Sequence, residues 1–159
     1  MKITILCVGK IKEQFFRDAI GEYFKRLGRY CVPEIIEVPD EKTPDGASAA
    51  LEKQIRDKEG EQLLTRIKEG AYVISLAIKG KKLSSEGMAA MIEDLGINGK
   101  AHLVFVIGGS LGLSEKVLNR SDMLLSFSDM TFPHQLMRVI LLEQIYRSYK
   151  IIKQEPYHK

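Results

Sequence analysis

Short apolar runs that are typical of strands alternate with longer stretches of helical periodicity along the whole chain. The runs are rich in β-branched residues and end at a glycine or a polar loop. A strand whose successive residues are all apolar is buried on both faces, so these runs predict a mostly parallel five-stranded sheet with helices on each side. The predicted strands are Ile3–Val8, a short strand around Ile35–Val38, Tyr72–Ile78, Leu103–Ile107 and Leu124–Phe127.

Helical patterns separate these strands, and one more follows the last of them. Apolar residues recur at helical spacing from Phe15 to Leu27, and residues 48–68 are rich in Glu, Lys and Leu. Residues 84–95 form a third pattern, with Ser84 or Ser85 as its N-cap, and Ser114 opens a short fourth helix. Pro133 starts the final helix, at a position where its missing N–H costs nothing. Strand and helix alternation therefore predicts an α/β fold.

Composition limits the class of protein further. At 159 residues, with 45% hydrophobic and 28% charged residues and no repeat or low-complexity tract, the chain predicts one soluble domain over residues 1–159. No apolar stretch is long enough for a membrane span, and the start leads directly into a strand, which predicts a cytoplasmic protein. Cys7 and Cys31 form no metal-binding spacing, so we predict inert thiols and no metal site.

Chemistry is expected at one edge of this sheet. In parallel α/β sheets, ligands bind outside the carboxyl ends of the strands. The loops predicted there are Gly9–Lys12, Lys79–Lys82, Gly108–Gly112 and Ser128–Thr131. The net charge of +3 is too small to indicate a polyanionic partner by itself. Five lysines in loops that also expose glycine backbone nevertheless favour an anionic ligand at this edge.

The motif G-x-S-x-G at Gly108–Gly112 raises a serine-hydrolase alternative. It lies between a strand and a helix, as a nucleophile elbow does, and Ser110 could be followed in chain order by Asp122 or Asp129 and by His134. Five residues with three defined positions match often by chance, and adjacent glycines equally suit close approach of backbone to a ligand. The phosphate loop and the dinucleotide fingerprint are absent.

A set of ordered motifs is more specific than any of these. Residues 76–81 read L-x-x-x-G-K, 106–113 V-I-G-G-S-x-G-L, 126–134 S-F-S-x-M-T-F-P-H, 137–139 M-R-V and 143–147 E-Q-x-Y-R, and the chain ends P-Y-H-K. Over its whole length the sequence closely resembles the RlmH family. Those proteins are small SPOUT-class methyltransferases that use S-adenosylmethionine to methylate N3 of a pseudouridine in 23S ribosomal RNA.

The resemblance implies a SPOUT-like domain with a C-terminal trefoil knot, working as a homodimer, and a set of cofactor-binding residues. One departure is Ala77, where many relatives carry an acidic residue. An adenine needs an apolar slot and nearby backbone polar groups. The cofactor-binding residues that the resemblance implies can supply both. The implied cofactor residues are Leu76, Gly108, Phe127, Ser128, Asp129, Met130, Thr131 and Phe132.

Methyl transfer asks for positioning and at most one base. The enzyme must hold the attacking nitrogen roughly 3–3.5 Å from the methyl carbon and help remove the N3 proton. Histidine titrates nearest neutral pH, so His134 and His158 are candidate bases. We expect the terminal segment to fold over the target base, with Tyr157 and His158 in the catalytic site and Lys159 on a phosphate.

RNA contacts and the dimer complete the expectations. The predicted phosphate contacts are Lys10, Lys12, Lys79, Lys81, Lys82, Arg138 and Lys159. Arg138 and Arg147 could instead brace a dimer. The final helix is apolar around far more than one stripe, which favours burial against both its own sheet and a partner subunit. No separate RNA-binding module is present, so the resemblance implies recognition within the assembled ribosome. A binding module of the same fold without catalysis is the second alternative.

Overall fold

The structure, a computed structural model, describes all residues from Met1 to Lys159. Its strands are β1 (Lys2–Val8), β2 (Val32–Val38), β3 (Tyr72–Lys82), β4 (His102–Ile107) and β5 (Met123–Ser126). Its helices are α1 (Gln14–Leu27), α2 (Ala49–Leu64), α3 (Ser85–Ile97), α4 (Glu115–Arg120) and α5 (His134–Ile152). All strand pairs are parallel, in the order β2-β1-β4-β3-β5. The predicted α/β fold with a five-stranded parallel sheet is therefore confirmed.

Two hydrophobic cores lie on opposite faces of this sheet. Alternate residues of each strand point to opposite faces, so Ile5 and Phe105 belong to one core while Leu6 and Val104 belong to the other. The larger core packs under α1, α3 and α5, and the smaller one under α2 and α4. Burying one such aliphatic side chain contributes roughly 1.5–3 kcal/mol. The central strands β1 and β4 are consequently buried on both sides.

Helix starts follow the predicted capping residues. The Ser84 hydroxyl accepts a hydrogen bond from Gly87 N–H at 3.0 Å, and the Ser114 hydroxyl accepts one from Val117 N–H at 3.4 Å. Ser48 caps α2 in the same way, through Leu51 N–H. Pro133 precedes the first residue of α5. The serine caps fix the starts of α2, α3 and α4, whereas α5 begins after Pro133 without a side-chain cap.

One predicted loop is a strand instead. Strand β3 does not end at Ile78 but continues to Lys82, and Lys81 and Lys82 pair with Leu125 and Ser126 of β5. The register shifts between Leu76 and Lys81, so the chain bulges between two paired segments. A Cβ on Gly80 would lie 2.7 Å from the β5 backbone, and only glycine allows that approach. Residues 79–82 show no alternation of apolar and polar side chains, so the sequence did not predict that this segment pairs with β5.

The strand order changes direction around β3 and β4, and this positions the site. The chain steps outward from β1 to β2, crosses to β3, returns to β4 between β1 and β3, and then passes outside β3 to form β5. Such a change of direction opens a crevice at the carboxyl ends of the strands. The trefoil knot that the resemblance implies stays a prediction. None of the helices has the length and hydrophobicity that crossing a membrane would require.

Candidate functional site

A cavity of about 350 Å³ lies where β3, β4 and β5 end. Its walls come from the bulged part of β3, the glycine loop after β4 and the segment between β5 and α5. Its volume falls within the range of small-molecule and cofactor pockets. The lining residues are Leu76, Ala77, Ile78, Ile107, Gly108, Gly109, Ser110, Leu111, Gly112, Leu125, Ser126, Phe127, Ser128, Met130, Thr131, Phe132, His134 and Met137.

Seven of the eight predicted cofactor residues line this one cavity. The exception is Asp129, which points outward and forms an ion pair with Lys82 at 2.5 Å. Sequence reasoning missed much of the apolar wall, including Ile78, Ile107 and Met137, because these residues read as ordinary strand and helix core. Ala77 lines the cavity too, so an acidic residue there would face the ligand.

The glycine loop forms the tightest wall of the cavity. Gly112 N–H donates a hydrogen bond to the Gly109 carbonyl at 3.1 Å, which closes the loop on itself. A Cβ on Gly108 would lie 2.8 Å from the carbonyl carbon and oxygen of Gly112. Glycine is therefore required at position 108 to bring the two arms of the loop together. Three of the five loop residues are glycines, so much of the loop backbone is open to a ligand.

The opposite wall combines apolar side chains with a short polar turn. Ser126 Oγ donates to the Ser128 carbonyl at 3.2 Å, and Met130 N–H donates to Ser128 Oγ at 3.0 Å. These bonds shape the segment between β5 and α5 so that Phe127 and Phe132 turn toward the cavity. The Met130 side chain is 74% exposed at the rim. A flat aromatic ring with polar edges is the kind of ligand that fits such walls.

His134 is the titratable side chain of the cavity lining. It opens α5, is half-buried, and forms no hydrogen bond to another protein group. Its Nε2 lies 3.7 Å from where a Gly9 Cβ would be. Burial, together with the nearby Arg138 cation, lowers the pKa of His134 below its ordinary value. The neutral imidazole is thus favoured, which leaves one ring nitrogen able to accept a proton.

Arg138 lies below this site, and the prediction that it contacts RNA is wrong. Its side chain is 0% exposed. The guanidinium donates to the carbonyls of Val8 and Gly9 at 2.9 and 2.8 Å and to Glu37 Oε1 at 2.6 Å. It therefore joins α5 to the carboxyl ends of β1 and β2. An apolar helix interior gives no sequence sign of this ionic contact.

Glu59 is a second buried charge beside the cavity that sequence reasoning missed. It belongs to α2 and is 4% exposed. Its Oε1 accepts a hydrogen bond from Glu41 N–H at 3.0 Å, whereas Oε2 has no partner. A Cβ on Gly109 would lie 3.1 Å from Oε2. Burial is the main cause that raises the pKa of Glu59, and the nearby Asp40 and Glu41 add to it.

The family of this chain follows from comparison with known proteins. A family model described as a predicted SPOUT methyltransferase matches residues 1–158. The chain belongs to the SPOUT methyltransferase family. It is 64% identical to the Ribosomal RNA large subunit methyltransferase H of Bifidobacterium adolescentis and 61% identical to that of Clostridium novyi, in both cases over 100% of each chain.

Solved structures of other proteins share the fold at low identity. A probable methylase family protein from Haemophilus influenzae matches 99% of this SPOUT chain and 70% of its own, with a TM-score of 0.54 and 10% identity. A probable methyltransferase from Bordetella pertussis matches 92% and 95%, with a TM-score of 0.54 and 11% identity. At such identities the likeness supports the SPOUT fold alone.

The serine-hydrolase alternative lacks its triad in this SPOUT domain. Asp122 accepts a hydrogen bond from Val73 N–H at 2.7 Å, and Asp129 pairs with Lys82. No hydrogen bond joins Ser110 to His134, so neither a base nor an orienting carboxylate serves the hydroxyl. No three His, Cys, Asp or Glu side chains converge as metal ligands would.

The C-terminal tail, residues 156–159, lies on its own helices α3 and α5 and does not line the cavity. Arg147 Nη1 donates to His158 Nδ1 at 3.2 Å, and since arginine can only donate, the ring proton sits on Nε2. Nε2 donates to Glu86 Oε1 at 2.8 Å. The Tyr157 hydroxyl donates to Glu143 at 3.0 Å. Both nitrogens of His158 are therefore engaged in this arrangement.

The predicted lysine contacts lie along the same edge as the cavity. Lys10 and Lys12 follow β1 and are exposed, as are Lys79, Lys81 and Lys82 at the end of β3. Lys82 is the one of these whose ammonium is paired, with Asp129. In a parallel sheet these ends share an edge, so the five lysines lie on the same edge as the cavity, although none of them lines it.

Proposed function

We propose that this protein transfers a methyl group from S-adenosylmethionine to N3 of a pseudouridine in 23S ribosomal RNA, as a homodimer acting on the ribosome in the cytoplasm. The observation that carries the proposal is the cavity, whose apolar and glycine walls meet at the carboxyl edge of a SPOUT fold. The naming of end-to-end relatives as ribosomal RNA large subunit methyltransferases supports the choice of substrate.

The residues of the cavity fit the proposed cofactor. Leu76, Met130 and Phe132 would enclose the adenine, and the backbone around Gly108 would read its polar edge. The cofactor supplies an electrophilic methyl group on a sulfonium, so the chain itself needs only to orient the acceptor nitrogen and take up a proton. His134 is suited to accept this proton, because it lines the cavity and because its lowered pKa favours the neutral imidazole.

The homodimer proposal rests on α5. One side of this helix is buried against its own sheet through residues such as Leu141, Leu142 and Ile145. Its other apolar residues remain only half-buried in the single chain, which suits a subunit interface. These residues are Leu136, Val139, Ile140, Tyr146, Ile151 and Ile152.

The tail would then serve the partner subunit. None of its residues lines the cavity of its own chain. If it covers the target base, the cavity it covers is the one in the partner. His158 would orient the base through a ring nitrogen that leaves its present partner, Arg147 or Glu86. Lys159, exposed at the terminus, would contact phosphate.

The exposed lysines at this edge of the sheet would bind the RNA backbone. Because phosphate contacts release counterions, RNA affinity should fall steeply with salt, and the log–log slope should become shallower by about 0.7–0.9 for each phosphate-contacting lysine that is removed. Lys10→Met should show this change, whereas Lys25→Met, on exposed helix surface, should not. An RNA affinity that does not depend on salt would contradict these contacts.

Transfer of a tritiated methyl group tests the function. Ribosomes that lack the modification and naked 23S RNA are each incubated with the protein and labelled S-adenosylmethionine. We expect label in the ribosomal RNA of the particles and little in naked RNA. Binding of the cofactor without any transfer would instead favour the non-catalytic binding module.

A further inference from the structure

Glu59 presents a buried charge without a full set of partners, directly behind the cavity wall. It is 4% exposed, and Oε2 accepts no hydrogen bond. An unpaired carboxylate oxygen in a protein interior costs free energy, so its presence next to a ligand cavity calls for a reason. The hydrogen bond that Oε1 accepts from Glu41 N–H satisfies only one of the two carboxylate oxygens.

The separation between this carboxylate and the cavity is one layer of backbone. Oε2 lies 3.1 Å from the point where a Gly109 Cβ would stand, and Gly109 lines the cavity. Val8 Cγ1 lies 3.2 Å from the same point on the other side. The backbone of Gly109 therefore contacts the carboxylate and also lines the cavity, so the field of the carboxylate reaches a ligand there at short range.

We propose that the Glu59 carboxylate favours a positively charged ligand in the cavity, so that the sulfonium cofactor binds more tightly than its neutral thioether product. The inference rests on the proposed function, since it takes S-adenosylmethionine as the ligand. The two molecules differ by one methyl group and one positive charge. Their shared adenosine and amino-acid portions make the same contacts, so the charge is what Glu59 distinguishes.

Other charges near Glu59 do not provide the same effect. Asp40 and Glu41 also lie near Glu59, but Asp40 is exposed to solvent, which screens its charge, and Glu41 pairs with Lys58 at 2.9 Å. The buried Arg138 is balanced by Glu37. His134 is favoured in its neutral form. Burial raises the pKa of Glu59, and a cationic ligand opposes that rise by stabilising the ionised carboxylate. Preference for the charged cofactor would promote exchange of spent product for fresh donor.

The test measures binding rather than turnover. Dissociation constants of S-adenosylmethionine and S-adenosylhomocysteine are determined by calorimetry at pH 8 for the full-length protein. The variant Glu59→Gln keeps an acceptor for Glu41 N–H and removes the charge. We expect its preference for the sulfonium to fall about tenfold, the size of effect that one charge has across a protein interior. The control Glu61→Gln removes an exposed carboxylate of the same helix and should leave the ratio unchanged.

The ratio separates a charge effect from a loss of shape. A loosened pocket weakens both ligands equally, so an unchanged ratio in Glu59→Gln would overturn the inference. Glu59→Asp keeps the charge and should keep the preference even if both affinities fall; loss of preference there would also overturn it, and this arm remains if the Gln variant does not fold. Failure of the wild-type protein to bind either ligand would instead contradict the proposed function.

Discussion

The cavity and the C-terminal tail contain the two groups of residues that the sequence assigns to one site, yet they differ in how they are built. The cavity is complete within one chain, with walls from three strand ends and an adjoining glycine loop. The tail lies on α3 and α5, where hydrogen bonds to Glu86, Arg147 and Glu143 hold it outside that cavity. A binding pocket is thus formed within one chain, whereas the cover that we propose for it would come from a second subunit.

The largest expected effect comes from a variant that disrupts the cavity and leaves the tail intact. Gly108→Val places a branched side chain where even a Cβ would be 2.8 Å from the Gly112 backbone. Binding of S-adenosylmethionine should fall by more than about a hundredfold, because the loop must open and the wall is lost. Calorimetry measures it. Gly21→Ala is the control: nothing lies within 4 Å of its Cβ position, and binding should be unchanged.

A second variant tests the support beneath the cavity. Arg138→Met leaves Glu37 and the carbonyls of Val8 and Gly9 without their donor. Breaking such a buried pair should lower the free energy of unfolding by about 3 kcal/mol, as measured by urea denaturation. Arg66→Met, on the surface, should change it by less than about 0.5 kcal/mol. Equal stability of the two variants would contradict the role given to Arg138.

Dimers that mix two variants test directly whether the tail serves its own cavity or the cavity of the partner subunit. Gly108→Val and His158→Ala are each expected to lose methyl transfer when alone. If each tail serves the partner's cavity, a heterodimer has one site with both parts intact, and a 1:1 mixture should recover roughly one quarter of wild-type activity. If the tail serves its own cavity, no site in the mixture is complete. Absence of recovery in exchanged, verified heterodimers would therefore rule out the arrangement in trans.

The smallest expected effect is the pH dependence of the contact between Glu86 and the tail. Its own backbone N–H, followed by His158 and Ser84, lowers the pKa of Glu86 from 4.5 to about 2. The part of this depression that His158 causes stabilises the docked tail above pH 4.5, and this stabilisation is lost as the pH falls toward 2. Protection factors of the tail amides, which correct for the intrinsic pH dependence of hydrogen exchange, should fall across that window. Glu86→Gln should remove this change, whereas protection factors that stay constant in the wild-type protein would contradict it.

Sequence patterns predicted the fold closely, because parallel strands and capped helices are local features. Apolar runs marked every strand, although Pro33, Glu34 and Glu37 interrupt the run in β2, and Ser84 and Ser114 marked two helix starts. Lys79–Lys82 was missed as strand, since its pairing with β5 depends on the bulge at Gly80 and not on alternation.

The cavity was also largely predicted, but through motif resemblance rather than periodicity. Buried charges were not: Glu59 in a charged helix reads as solvated, and the apolar helix around Arg138 gives no sign that its guanidinium is enclosed in an ionic contact. Only packing reveals that both are enclosed. Asp129 lies inside the binding motif, yet its side chain points away from the cavity and pairs with Lys82, so its role in cofactor binding stays a prediction.

The central claim is methylation of one ribosomal pseudouridine at N3, and the most direct measurement is the identity of the modified nucleoside. Ribosomes lacking the modification are treated with the protein and S-adenosylmethionine, and their 23S RNA is digested and examined by mass spectrometry. The account predicts a single new N3-methylated pseudouridine, absent when Gly108→Val is used. Methylation of a different nucleoside, or none with a protein that binds the cofactor, would contradict it.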